Sequence, residues 1–321
     1  MLKVKVEGSR VHIGERFSVS FQRTLRIPDD GKLYPLPPGL GAFPLHRVED
    51  YVDRIPEAWR EHGGVFIPMY QREALWLGFG GASWKPNAVK IGVGKVNAVS
   101  GVEWDENLCE NPQDYLVCPD QPWLDGINAG EGYIRQFVAM PLGQGYTIEA
   151  QLIGKEEFGG IQILVYEPKP ERFPDQPPLK LDTGFEKLSM PVAVTEMGLG
   201  AGGKMKQKIY PDQYGIDTWD TDNFGSMFVH IINSEQYLNL TGLEPPPTPV
   251  SAKTYTEFGL PWFDLYDETR GDVLASKELT KVKTIGEKDV EKGISSREDD
   301  ASVNVSKSQI KKLRHLKKRK K

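Results

Sequence analysis

VFIPMYQREALWLGFGGASWKPNAVKIGVGKVNAV, residues Val65 to Val99, decides the fold class. It holds four short apolar runs: Val65–Tyr70, Ala74–Phe79, Ala88–Val93 and Lys95–Val99. Turn-forming residues separate them, and each run is too short for a stable helix. The spacing suits antiparallel hairpins. No helical pattern of ten or more residues intervenes, which excludes a doubly wound α/β sheet. Further along, Ile134–Met140, Thr147–Leu152 and Ile161–Tyr166 continue the strand block. Towards the N-terminus, Leu2, Val4 and Val6 alternate with Lys3, Lys5 and Glu7, and Arg16–Thr24 alternates through Phe17, Val19 and Phe21. Period-2 alternation is the mark of a half-buried strand. Gly31–Pro44 reads as an irregular loop. Val48–His62 reads as helix interrupted at Pro56 and ended by Gly63 and Gly64. With 33 glycines and 24 prolines in 321 residues, turns dominate over long helices.

The expected fold is mainly β: an antiparallel β-sandwich or barrel-like body with a few short helices and a disordered basic C-terminal tail. The proline-rich run Glu167–Pro178 divides it into a β-rich subdomain, residues 1–170, and a smaller α+β subdomain, residues 171–268. In the second, Pro191–Glu196 and Met227–Ile232 read as strands. Ser234 and Gly242 bracket one short helix, and Ser251–Gly259 forms another. From residue 269 onward aromatic residues vanish and charges dominate, so 269–321 reads as a disordered charged linker and basic tail, with a transient helix near Lys311.

Met1–Gly14 has no apolar run of the secretory type, and nothing approaches the roughly 18 apolar residues of a membrane span. The expected location is intracellular and cytoplasmic, or nuclear in a eukaryote. In that setting Cys109 and Cys118 are free thiols, and their spacing is a poor zinc signal.

Three stretches, IRQFVAMPLGQGYTIEAQLIG (Ile134–Gly154), QPWLDG (Gln121–Gly126) and GLPWFD (Gly259–Asp264), resemble a family of uncharacterised microbial proteins. The resemblance covers roughly Val4–Tyr266. It implies one cohesive body and transfers no catalytic residue.

Four patterns bear on chemistry. GLGAGGKM, Gly198–Met205, fits G-x-G-x-x-G and all but the last position of a phosphate loop. Met205 replaces the metal-binding hydroxyl, and Pro211 leaves too little room for the required helix. A surface glycine loop is the expected reading, and no cofactor is expected. Tryptophan–aspartate pairs form the second pattern: Trp104 with Asp105, Trp123 with Asp125, Trp219 with Asp220, and Trp262 with Asp264. Indole faces beside carboxylates suit a sugar ligand, and two opposed carboxylates could hydrolyse one. The plainer reading places the tryptophans in the core and the aspartates at turns. The five histidines show no metal spacing, so no metal is expected; His230, in an apolar run, reads as a buried, hydrogen-bonded side chain. Last, Lys311, Lys312, Arg314, Lys317, Lys318, Arg319, Lys320 and Lys321 form a basic cluster. Subtracting these eight charges from the net −5 leaves −13 on the rest. Such a cluster suits nuclear import or salt-dependent phosphate contact.

The function expected is that of a non-catalytic binding or scaffold protein, with a protein or glycan as ligand. The alternatives are a carbohydrate-binding or glycoside-active protein using the Trp/Asp pairs, and a nucleic-acid-associated protein working through its tail.

Overall fold

A computed structural model describes residues 1–175, 196–265, 270–295, 297 and 300–313. Its strands, in chain order, are β1 (Val4–Glu7), β2 (Arg10–Ile13), β3 (Phe17–Thr24), β4 (Leu33–Tyr34), β5 (Gly39–Ala42), β6 (His46–Arg47), β7 (Val65–Met69), β8 (Ala74–Gly80), β9 (Asn87–Val93) and β10 (Val96–Asn97). They continue as β11 (Leu116–Cys118), β12 (Trp123–Leu124), β13 (Gly126–Gly130), β14 (Tyr133–Pro141), β15 (Ile161–Pro168), β16 (Glu196–Lys206), β17 (Trp219–Asn233), β18 (Trp262–Leu265) and β19 (Ile310–Leu313). The helices are short: α1 (Glu57–His62), α2 (Ile148–Leu152), α3 (Ser234–Thr241), α4 (Ala252–Glu257) and α5 (Ile285–Glu291).

The protein is mainly β and built on a large, mostly antiparallel sheet that does not close into a barrel. Strands β1, β2, β3, β8, β14 and β16 pair antiparallel in succession. A second antiparallel run joins β9, β15 and β17, and β7 adds to β17 in parallel. The two runs meet where Glu196 of β16 pairs with Ile232 of β17. Alternate side chains from both runs enter one core: Val19, Phe21, Leu77, Phe137 and Leu199 with Ile91, Ile163, Val165 and Val229. The sheet therefore folds back on itself into two layers around that core. Pairing of β14 with β16 and of β15 with β17 crosses the expected division near Pro170. No helix among the described residues is long and apolar enough to cross a membrane.

Both faces of β9 and β15 are buried. This explains their near-continuous apolar runs, because a strand covered on both sides has no polar face to alternate with. Smaller clusters cover the outer face. One sets Trp59 of α1 and Tyr237 and Leu240 of α3 against Phe66 of β7; another gathers Tyr115, Tyr166 and Trp219.

Four expectations need correction. Thr147–Leu152 is not a strand. Thr147 caps α2 by accepting the Ala150 N–H at 3.0 Å, and buried Glu149 accepts the N–H groups of Glu157, Phe158 and Gly159. Gly198–Met205 is not a surface loop but the buried middle of β16. A Cβ on Gly203 would lie 2.3 Å from the Pro28 carbonyl oxygen, and one on Gly202 2.7 Å from Val138 Cγ2. The glycines serve close packing, so no phosphate cradle exists there.

The third correction concerns residues 270–295, expected to be a disordered linker. Val273, Leu279 and Val282 join the main core, and Ile285 packs with Tyr146, Met140 and Ala74. Thr284 and Glu287 form a capping box that starts α5. The buried Arg72 guanidinium pairs with Asp289 at 2.8 Å and Asp300 at 2.7 Å, and Arg26 reaches Asp300 at 2.5 Å. Acids that made this segment look solvated are the ones that fasten it. Fourth, the residues around Lys311 form strand β19, parallel to β18, and not a helix.

Candidate functional site

The outer face of β15 and β17 forms one wall of a concavity between the two covering clusters, with Ser226 of β17 exposed in it. A cavity of about 890 Å³ lies there. From the sheet come Gln162, Leu164, Ser226 and Phe228; His62 lies at the end of α1; Lys95, Trp104 and Glu106 come from the segment after β9; β1, Arg47 and Glu49 also contribute to the lining.

Trp104 is held in place from three directions. Its N–H donates to the Lys95 carbonyl at 2.9 Å. Its indole lies against Gly92, where a Cβ would come within 2.6 Å of the ring. The Lys90 ammonium stands 5.7 Å from the ring centroid, a cation–π distance. Lys90 is itself only 1% exposed and pairs with Asp105 at 2.9 Å and Asp114 at 2.8 Å. A lysine so deeply buried is tolerable only when paired. Here it fixes the 104–114 segment onto β9.

Stacked rings run from the interior to the cavity. Trp59 and His230 stack at 4.5 Å, His230 and Phe228 at 4.4 Å, and Phe228 and His62 at 4.7 Å. His230 makes a 3.1 Å hydrogen bond with the Gly63 carbonyl, and burial pushes its pKa down to about 3, so the ring is neutral. This is the buried, hydrogen-bonded side chain expected from its apolar run. Burial also lowers the pKa of His62, helped by the nearby Lys95 charge.

Lys95 occupies the second position of the two-residue turn between β9 and β10. Gly94 has φ +57° and Lys95 φ +60°, the pattern of a type I′ hairpin. The Lys95 N–H donates to Gln162 Oε1 at 2.8 Å, and Gln162 Nε2 donates to the Gly159 carbonyl at 3.0 Å. The ammonium lies 5.5 Å over the Phe158 ring, and burial lowers its pKa. It makes no ion pair among the described residues.

The four tryptophan–aspartate pairs do not converge. Trp104 lines the cavity, but Asp105 is exposed, bound to Lys90, and accepts the Asn107 N–H at 2.9 Å in a local turn. Trp123 is half-buried beside the cluster of Tyr34 and Trp262. Asp125 is fully buried: its Oδ2 accepts from Gln207 Nε2 at 2.7 Å, and burial pushes its pKa up to about 7. Trp219 is buried, and its Nε1 donates to Asp212 at 2.9 Å, not to Asp220, which accepts the Asp222 N–H. Trp262 is buried and donates to Thr256, while Asp264 pairs with Lys206 at 3.0 Å. Of the eight residues, Trp104 alone lines the cavity. Lys311 and Lys312 are exposed on β19. Arg314, Lys317, Lys318, Arg319, Lys320 and Lys321 lie outside the described residues.

Cys109 is exposed, Cys118 is buried, and both are free thiols; burial pushes the Cys118 pKa up. No group of three or more His, Cys, Asp or Glu side chains suited to a metal ion occurs among the described residues. His62, Lys95, Gln162 and Phe228 come together only through the fold. The signal that could have found Lys95 was the spacing Val93-Gly94-Lys95-Val96, a two-residue hairpin connection with a lysine where positive φ is required. No family model, curated protein or solved structure matches the chain.

Proposed function

We propose that the protein is a non-catalytic binding protein whose ligand occupies the cavity beside Trp104. The carrying observation is a cavity of about 890 Å³ with Trp104, Phe228 and His62 among its lining side chains. Sites for small ligands run to roughly 300–1,000 Å³ and combine apolar faces with a few placed polar groups. The rigid mounting of Trp104 on Gly92, Lys90 and Lys95 supports this, because a preorganised wall loses little entropy when a ligand docks. A catalytic reading has less support. Ser226 and His62 both line the cavity, yet no hydrogen bond joins them, and Gln162 is committed to backbone groups.

A ligand-observed NMR screen of small aromatic, acidic and sugar fragments tests the proposal. Hits should bind the wild type and lose most of their affinity with Trp104→Ala. Binding that ignores this substitution, or a screen without hits, would end the reading.

A further inference from the structure

Lys95 is an unusual choice for its position. The second residue of a type I′ turn needs positive φ, which glycine and asparagine adopt readily and a lysine does not. A side chain kept against that preference points to a role outside the turn. The surroundings indicate which role. The ammonium is half-buried and makes no ion pair among the described residues. The nearby carboxylate of Glu106 favours its charge from a distance, but Glu106 is exposed and solvated. Arg47, also in the lining, already bridges to Glu49 and Asp50. The third cation of the lining, Lys5, is exposed, so a counter-charge gains most at Lys95, where water is partly excluded. The ammonium lies over the Phe158 ring and close enough to His62 to act on its charge, and the Trp104 indole and the stacked His62 and Phe228 rings line the same cavity, flat surfaces suited to a flat partner.

We infer that Lys95 anchors the ligand of this cavity, and that the ligand is a planar anion: a carboxylate carried on a flat aromatic or conjugated frame. This rests on the cavity being the binding site. The backbone of Lys95 and its side chain then have separate tasks. The backbone closes the hairpin and holds Trp104 through its carbonyl, whereas the ammonium faces the ligand.

The test uses 2-naphthoate and its neutral counterpart 2-naphthamide, titrated against the full chain by ligand-observed NMR. The wild type should prefer the naphthoate by about tenfold, the scale of one hydrogen bond to a charged group. Lys95→Asn should abolish that preference while holding or raising the thermal midpoint, because asparagine suits the turn. A purely structural lysine would leave the preference alone. Lys95→Gly serves the same end should the asparagine variant fold poorly. Equal binding of the two probes by the wild type, binding of neither, or a preference that survives both substitutions would overturn the inference. Trp104→Ala separates this from failure of the cavity reading. If it leaves both affinities unchanged, the cavity is not the site. If it weakens both while the Lys95 variants keep the preference, the cavity stands and the anchor is wrong.

Discussion

Asp125 shows how one side chain can set the pH response of a fold. It is fully buried and shares a short hydrogen bond with Gln207. Folded, its carboxyl keeps a proton up to about pH 7; the ordinary value is 3.8. Between those limits the folded state binds more protons than the unfolded chain, so this residue's contribution falls as pH rises. About three pH units at roughly 1.4 kcal/mol each gives a range on the order of 4 kcal/mol. Asp125→Asn keeps an acceptor for Gln207 and carries no charge. It should match the wild type near pH 4 and be more stable at pH 8, as read from urea midpoints; equal midpoints at both pH values would contradict this. Two histidines, His230 buried and His46 half-buried, act in the opposite sense. His46 and His230 have pKa values pushed down by burial to about 4 and about 3. Each stabilises fully above the unfolded value near 6.5, and that contribution is lost as pH falls towards the folded value. In the Asp125 variant this acid loss should stand unmasked. The sequence placed Trp123 two residues before Asp125, and the two do interact, but the stronger partner, Gln207, comes from just beyond the end of β16, 82 residues away. Local spacing says nothing about it.

At the scale of the element, β16 is the segment whose letters misled. Gly198–Met205 has too few side chains to show alternation, so its strand character is invisible to a periodicity test. The glycines exist because neighbouring chain passes within a methyl group's radius. Gly203→Ala would drive a Cβ against the backbone of Pro28, which cannot rotate away as a side chain could. It should cost about 1–3 kcal/mol in a denaturant titration. Gly200→Ala, whose nearest neighbours stand at 3.1–3.4 Å, should cost less. Equal effects would mean that β16 is not packed as described. Strands with ordinary side chains, such as β3, β8 and β9, were legible because alternation and turn residues are local properties. The reversal at Thr147 was missed because ITS cap and a buried glutamate outweigh the apolar spacing of α2.

For the whole molecule, the general architecture was readable and its closure was not. A mainly β body with short helices follows from runs and turns. That residues 270–295 complete the core does not, since the apolar anchors Val273, Leu279, Val282 and Ile285 stand among charged residues and are spread over a loop, a 3-10 turn, an extended link and the start of α5, with no single periodic element between them. Removing everything from residue 270 onward should therefore destabilise the body severely. Each of Leu279, Val282 and Ile285 contributes roughly 1.5–3 kcal/mol by burial, and Arg72 would lose both Asp289 and Asp300. Calorimetry should show a lower, broader melting transition. A truncated chain that melts with the intact one would refute this account. For the same reason, the cavity beside Trp104 should be studied in the full chain.

The fastening of this late segment also bears on how the protein is made. Synthesis runs from the N-terminus, and early parts of a chain begin to fold while later parts are still being added. Here the sheet strands through β17 precede the residues that seal them. The pocket that receives Ile285 stays open, and Arg72 stays without Asp289, until the ribosome has released that stretch. Newly made copies should thus pass through an interval in which the sheet exposes the apolar surface that α5 later covers, ending only when α5 docks.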